Sequence, residues 1–318
     1  MEGKDISLVI PLFNEQETIQ TLINSIARQT VQPGCIVLVD AGSADNTVTR
    51  ARELTGMDNR YRILEAGRAM PGEARNRGAA AVTTPWIAFT DAGIQLEDHW
   101  LENLIQEANR SGADIIYGNY APQVHRPFEK YATITYVAPC LPGQIRGKFI
   151  ASALLKKEVW EKTGGFPNWR AAEDLHFMEE AGRLGFKNAT APNAMVYWQL
   201  RQNLKSTFQR FKLYSTYNVW AGRQRYWHYG VARQYGLVLI FILLTLFIHW
   251  AFILFIPLWL LARALKRIYL HRHEFGTRDL FNPVAWCRIM GLTLAIDMAT
   301  FAGWWKALQK QTSVIPNR

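Results

Sequence analysis

Cysteine is scarce in this 318-residue chain, and Cys35, Cys140 and Cys287 are far apart, odd in number and without metal-ligand spacing. That excludes a disulfide framework and a cysteine-based zinc site, and the thiols read as reduced and incidental, as in a cytosol-facing protein. The start, Met1-Glu2-Gly3-Lys4-Asp5, lacks the charged-then-apolar profile of a secretory signal, so the first half is expected to stay in the cytoplasm. Where a nucleotidyltransferase would carry a glycine-rich, Lys- or Arg-bearing phosphate loop after its first strand, this chain has Pro11-Leu12-Phe13-Asn14. Acidic residues almost vanish from the second part: residues 201–318 hold 16 Lys and Arg against 3 Asp and Glu, whereas residues 1–200 hold 20 against 23. From Gly236 to Ala262 there is no Asp, Glu, Lys or Arg at all.

What is present in the first 200 residues alternates between strand and helix patterns. Ile6-Ser7-Leu8-Val9-Ile10 is a buried-strand pattern ended by Pro11. Asn14-Glu15-Gln16-Glu17 then opens a helix with Ile19, Leu22, Ile23 and Ile26 at helical spacing. Ile36 to Val39 ends at Asp40, Gly42-Ser43-Ala44-Asp45 turns the chain, and Asn46 to Leu54 is helical. Pro71 to Gly78 leads into a helix over Ala79–Val82, and the strand Trp86 to Thr90 ends at Asp91. This rhythm predicts a parallel sheet with right-handed crossovers. Acids at the carboxyl ends of such strands lie where open α/β sheets bind ligands, and an apolar run of 27 residues can span a bilayer. The two together indicate a nucleotide-handling enzyme fixed to a membrane. Each residue also has a plainer reading: Asp40 as a cap of the Gly42–Thr47 turn, Glu173-Asp174 as the first turn of a helix Leu175–Leu184, and Arg75 and Arg77 as a solvated helix face rather than a phosphate site.

Six stretches fall in one order: Ile10-Pro11-Leu12-Phe13-Asn14-Glu15, Val39-Asp40-Ala41-Gly42-Ser43-Ala44-Asp45-Asn46-Thr47, Ala74-Arg75-Asn76, Thr90-Asp91-Ala92-Gly93, Gly164-Gly165-Phe166 and Glu173-Asp174-Leu175. Over about residues 5–200 the chain thereby resembles the family-two glycosyltransferases. The resemblance implies an inverting enzyme of the α/β class with the GT-A nucleotide-diphospho-sugar transferase fold, a mostly parallel sheet with flanking helices. It implies a donor site of Pro11, Phe13, Glu15, Asp40, Arg75 and Asp91, with Asp40 on the base and Asp91 at the ribose-diphosphate end. It implies Asp174 as general base. A single inverting displacement needs a carboxylate to take the acceptor hydroxyl proton as the oxygen attacks the anomeric carbon. Glu173 would orient the acceptor or raise the base's pKa by like-charge repulsion.

The chain departs from the family pattern at Gly93, where the usual metal motif has its second carboxylate. A divalent cation stabilises the departing diphosphate, so the loss weakens the case for Mg²⁺ or Mn²⁺, with Asp91 as the remaining candidate ligand. Arg75, His176 or the basic stretch from Arg201 to Lys212 are alternative sources of positive charge. Trp198 stands where relatives often carry His. It cannot ligate a metal, and either stacks on a sugar or base or packs in the core. Trp198 and Arg201 are the candidate acceptor-binding residues, and sugar-contacting residues are expected within Tyr117–Arg146.

From Leu204, the residues Phe208, Phe211, Tyr214, Tyr217 and Trp220 recur every three or four positions among Lys205, Arg210, Lys212 and Arg223, a pattern shared by interfacial and core-packing helices. Tyr226-Trp227-His228-Tyr229 makes an aromatic belt before the apolar run. One tilted helix fits that run, as does a hairpin turning near His249-Trp250. The hairpin is preferred because it keeps the basic residues Arg263 to Arg278 on the cytoplasmic side. Val284 to Trp305 contains Arg288 and Asp297, which implies an interfacial position or charge pairing against the first segment. The expected division is a catalytic domain over 1–203, an amphipathic interfacial region over 204–234 and membrane-associated helices over 235–318. The expected activity is transfer from a UDP- or GDP-sugar to a lipid-linked or saccharide acceptor at the cytoplasmic face of the cell membrane. Membrane lipids are expected partners and nucleic acid is not. The alternatives are transfer to a polyprenyl phosphate, and a non-catalytic membrane scaffold with a degenerate sugar-nucleotide fold, for which Gly93 is the best argument.

Overall fold

The computed structural model describes residues 1–309; residues 310–318, the end of the expected 235–318 segment, lie outside the described residues. In chain order the elements are β1 (Ile6–Leu12), α1 (Ile19–Ala27), β2 (Cys35–Asp40), α2 (Thr47–Thr55), β3 (Tyr61–Glu65), α3 (Pro71–Ala80), β4 (Trp86–Phe89), β5 (Ile94–Leu96), α4 (Trp100–Ser111), β6 (Ile115–Gln123), α5 (Pro127–Tyr136), β7 (Ala153–Lys156), α6 (Lys157–Thr163), α7 (Glu173–Arg183) and β8 (Asn188–Gln199). There follow α8 (Leu204–Trp220), α9 (Gln224–Trp227), α10 (Tyr229–Phe247), α11 (Phe255–Leu270), α12 (Arg272–Phe275) and α13 (Pro283–Gln309). They form two compact units: Met1–Gln123 with Pro142–Gln199, and Val124–Leu141 with the chain from Leu200 onward. The expected boundary at residue 203 lies close to the last junction, between Gln199 and Leu200. The stretch Tyr117–Arg146, expected to contact the sugar, is divided between the units.

The first unit is an α/β fold around one sheet of order β3-β2-β1-β4-β7-β6-β8-β5. Strands β3, β2, β1 and β4 are parallel neighbours, β7 runs against both β4 and β6, and β6 and β8 are parallel. Near-continuous apolar strands such as Leu8 to Ile10 and Ile36 to Val39 follow from burial on both faces. One face packs on Leu22, Ile26, Trp100 and Leu104 of α1 and α4, the other on Ala74, Ala79, Phe166 and Phe177.

Two helix starts differ from the sequence reading. Helix α3 begins at Pro71 rather than Ala79, because proline at the first helical position has no donor to lose and a φ already suited to the helix. Arg75 and Arg77 are therefore inside the helix rather than at a free N-terminus. Helix α7 begins at Glu173 rather than Leu175, after Ala172 in the left-handed conformation.

In the second unit the apolar run is a helical hairpin. Helix α10 stops at Phe247, His249 is extended, and its Nδ1 accepts a hydrogen bond from the Ala251 N–H at 3.2 Å, starting a short 3₁₀ turn over Trp250–Leu254. Helix α11 returns antiparallel, with Phe241 stacked on Phe255 at 5.2 Å and Tyr235 edge-on to Trp259 at 6.0 Å. Among the described residues α10 and α13 are long and apolar enough to cross a membrane. Asp297 of α13 is buried and paired with Arg263 at 2.7 Å, so the charge-pairing reading describes this residue; Arg288 is exposed, with its guanidinium over the Tyr131 ring. Helix α8 meets α13 through Ser215 and Thr216, and its aromatic stripe is only half-buried.

Candidate active site

The loops after β1 and β2 are laced together. Asn14 takes the left-handed conformation, which asparagine tolerates. Its side-chain oxygen accepts from the Ala44 N–H at 2.9 Å, and its own N–H donates to Ser43 Oγ at 2.9 Å. The Glu15 N–H donates to Thr47 Oγ1 at 2.7 Å. Asp40 is buried at the end of β2, and its Oδ2 accepts from the N–H groups of Gly42 and Ser43 at 3.0 and 3.1 Å. This is the turn-cap role that the sequence left open. Pro11 lies within β1, and Phe13 is exposed beside this loop pair.

The second cluster is built around Arg75, which α3 carries into the interior. Its Nη2 donates to Asp91 Oδ1 at 2.7 Å and its Nη1 to Glu173 Oε1 at 2.8 Å, while Nε is buried without a partner. Burial opposes the Arg75 charge, but Asp91, Glu173 and Asp174 outweigh it and raise its pKa above the ordinary value. For Glu173, burial and the like charge of Asp174 push the pKa up to about 7, with Arg75 pulling the other way. Asp174 is also shifted upward, by burial first, against Arg75 and a hydrogen bond from the Leu175 N–H. By surface exposure it is the half-buried member of the pair, and Glu173 the buried one. Arg77, by contrast, is engaged outside the cluster by Glu73 and the Ala66 carbonyl.

Arg75's neighbour Asn76 fixes the segment that delivers the two acids. Its Nδ2 donates to the Phe166 carbonyl at 2.7 Å, and its Oδ1 accepts from the Phe166 N–H at 2.8 Å and Trp160 Nε1 at 2.9 Å. Gly165 lies at φ +77°, and a Cβ there would come within 2.5 Å of Asn76 Oδ1, so both backbone and space require glycine. Phe166 stacks on Phe177 at 4.2 Å and meets Phe89 edge-on at 5.3 Å. Ala172 then enters α7 at φ +66°, a conformation costing on the order of 1–2 kcal/mol for a residue with a side chain.

Metal-binding capacity is limited. Asp91 already holds Arg75, Gly93 supplies no ligand, and among the described residues there is no group of three or more His, Cys, Asp or Glu suited to a metal. A Cβ at Gly93 would meet only Glu15 carboxylate oxygens, at 3.8 and 3.9 Å, so a carboxylate is missing there by sequence and not by crowding. With so few protein ligands, a divalent ion here would have to draw most of its coordination from phosphates and water.

The remaining candidates are dispersed. Trp198 pairs with Ile94 across β8 and β5 and is edge-on to Tyr120 at 6.2 Å; its indole N–H is buried without a partner. Arg201 is exposed in the other unit, and His176 is exposed beside Trp169. The sequence reading missed Arg170, whose guanidinium lies over the Phe13 ring at 5.7 Å, joining the segment before α7 to the loop after β1. It also missed the Thr90 hydroxyl, buried without a partner next to Asp91. The signals were present: an arginine three residues before an acid pair, and a hydroxyl beside a strand-end acid.

The family model described as "Glycosyl transferase family 2" matches residues 7–166, half of the chain. The chain belongs to glycosyl transferase family 2. Glycosyltransferase AglE of Haloferax volcanii is 28% identical over 191 residues, covering 57% of this chain and 62% of AglE, so the chain spans less than two thirds of that relative. Two solved structures of low identity share the GT-A fold. The mannosyltransferase PcManGT of Pyrobaculum calidifontis, in complex with GDP-Man and Mn²⁺, has a TM-score of 0.56 at 15% identity, covering 97% of this chain and 88% of that one. S. aureus TarS 1–349, in complex with UDP-GlcNAc, has a TM-score of 0.52 at 14% identity, covering 95% and 92%. Within family 2, the Arg75 cluster places the acid after β4, Asp91, and the first acid of α7, Glu173, on one guanidinium.

Proposed function

We propose that this chain is an inverting glycosyltransferase of glycan biosynthesis that works at the cytoplasmic face of the cell membrane, taking sugar from a UDP- or GDP-linked donor and passing it to a lipid-linked or saccharide acceptor. The observation that carries this reading is the Arg75 bridge, which joins Asp91, the acid of the donor end, to Glu173 beside the base Asp174. Asp174 takes the acceptor hydroxyl proton. Its raised pKa brings the carboxylate nearer the working pH, where a base is most effective. Glu173 is committed to Arg75 and so positions the pair rather than sharing the proton transfer. Asp40 and the Pro11–Glu15 loop hold the donor base, with Phe13 exposed for contact. Mg²⁺ or Mn²⁺, when bound with the donor, would neutralise the departing diphosphate, and Arg75 adds charge from the protein side. Trp198 and Arg201 serve the acceptor. The hairpin and the basic second unit support residence at a membrane.

The test is calorimetry on the detergent-purified chain with UDP, GDP and their sugars, with and without Mn²⁺, followed by transfer assays on Asp174→Asn. One nucleotide diphosphate should bind, weakened by Asp40→Ala. Asp174→Asn should keep that binding and lose transfer by about 10²-fold or more. Absence of binding by any nucleotide diphosphate would sink the transferase reading in favour of a scaffold, and unchanged turnover in Asp174→Asn would favour an acceptor that is already anionic.

A further inference from the structure

We infer that the hairpin of α10 and α11 enters a single leaflet of an anionic bilayer and returns, so that the second unit is held from one side without crossing. This rests on the membrane-bound reading above and gives it a depth and a partner surface.

Length is the first argument. The charge-free part of α10, Gly236 to Phe247, is 12 residues, and that of α11, Phe255 to Ala262, is 8. At about 1.5 Å per residue these arms rise about 18 and 12 Å, against a hydrocarbon core of about 30 Å. Such arms reach the middle of the bilayer and no further. The tip they carry is the part most stripped of protein contact: Leu246, Phe247, Ile248 and Trp250 are 71, 81, 67 and 66% exposed. A contiguous apolar surface of this kind marks a contact site.

Charge is the second argument. The antiparallel pairing of Tyr235 with Trp259 and of Phe241 with Phe255 brings Arg233 on one arm level with Arg263 on the other, with Lys266 and Arg267 just beyond. Both stems also carry exposed tyrosines outside the apolar stretch, Tyr226 and Tyr229 on one side and Tyr269 on the other. Arg263 is paired with Asp297 and Arg267 bonds Thr293, so Arg233 and Lys266 are the exposed cations of this collar; with an aromatic belt at one end of an apolar wedge, they complement one anionic headgroup layer. Asp297 fits the same level. It bonds Arg263 at 2.7 Å and accepts from Tyr235 Oη at 3.1 Å, at the collar end of the hairpin, so its charge is kept out of the hydrocarbon. The long helix α13 thus crosses the base of the wedge rather than accompanying it inward.

The test uses the full chain with its three cysteines changed to serine, a single Ile248→Cys carrying an environment-sensitive fluorophore, and vesicles of phosphatidylcholine with or without phosphatidylglycerol. Quenching should be strongest from lipids brominated near the chain ends. Arg233→Cys and Arg272→Cys should both react with an impermeant thiol reagent added outside the vesicles. Phe247→Asp should weaken vesicle partition by roughly a hundredfold, since a charge is most costly near the bilayer centre. Quenching from the far headgroups, or labelling of positions 233 and 272 from opposite sides, would overturn the single-leaflet insertion in favour of a full span. Position 248 shielded from all lipid quenchers but crosslinked between copies would overturn it in favour of a protein interface. No vesicle binding at all would instead sink the membrane reading on which the inference stands.

Discussion

The most informative residue is Glu173, because two opposing demands meet on it. Burial and Asp174 raise its pKa to about 7 from an ordinary 4.5, while Arg75 at 2.8 Å favours its charged form. A carboxyl with a raised folded-state pKa contributes stability that is fully present below the unfolded pKa and lost as pH rises through the folded one. Glu173→Gln should therefore gain on the wild type between pH 4.5 and about 7.5, by up to about 3 kcal/mol, in thermal melts across that range. A difference that stays flat with pH would show that Glu173 is ionised throughout. Arg75→Ala removes the cation and leaves Asp91 and Glu173 facing each other without it, with an expected loss of about 3–5 kcal/mol. Gly93→Asp tests the missing ligand. The new carboxylate would lie near Glu15, so metal-free nucleotide binding should weaken and Mn²⁺ should strengthen it by more than in the wild type, read by calorimetry. Single residues were legible in the sequence when their chemistry was local, as with Asp40 and Asp91 at strand ends. Arg75 was legible as a candidate, but not its partnership with Glu173, because 98 positions separate them and no local pattern records such a pairing.

At the scale of elements, small residues decide how closely helices approach. A Cβ on Gly303 of α13 would lie 2.4 Å from the Lys212 carbonyl and 2.6 Å from Ser215 Cβ of α8. This close approach allows Ser215 Oγ to donate to the Thr300 carbonyl at 2.6 Å and Thr216 Oγ1 to the Gly303 carbonyl at 3.1 Å. Gly303→Val should force the pair apart and break both bonds, lowering the melting temperature of the purified chain by several degrees. The estimate uses about 1–3 kcal/mol for overpacking and roughly 2–4 °C per kcal/mol for a domain of this size. An unchanged melt would mean that α13 shifts without cost. The aromatic stripe on α8 drew attention in the sequence, yet the packed face is the polar one between those rings. Periodicity finds large side chains readily, but it passes over a contact made by Ser, Thr and Gly. The hairpin was readable because His249 interrupts the apolar run with a polar group able to cap the turn after it. The start of α3 was misplaced because Pro71-Gly72 resembles a turn as much as a first helical position.

For the whole molecule, the division of charge is the governing fact: the residues after 200 hold 16 of the 36 Lys and Arg but only 3 of the 26 Asp and Glu. Some of this charge is spent within the second unit, on Asp297 by Arg263 and on Asp279 by Lys130. Lys266, Arg272, Arg278 and Arg288 have no carboxylate partner among the described residues; Lys266, Arg278 and Arg288 are exposed, and Arg272 is half-buried with its guanidinium over the Tyr269 ring. Exposed cations near an anionic leaflet contribute about 1 kcal/mol each, and the contribution fades over a Debye length, about 10 Å at 0.1 M salt and roughly half that at 0.5 M. The apolar wedge is indifferent to salt. Membrane attachment should therefore have two separable parts. Raising salt from 0.1 to 0.5 M should weaken sedimentation with phosphatidylglycerol-containing vesicles by tenfold or more, and leave the weaker binding to neutral vesicles nearly constant. Lys266→Ala with Arg272→Ala should lower the anionic component alone, whereas Phe247→Asp should lower both. If salt instead reduced binding to neutral and anionic vesicles equally, charge would be acting on the protein's own fold rather than on lipid, and the basic second unit would need a different partner.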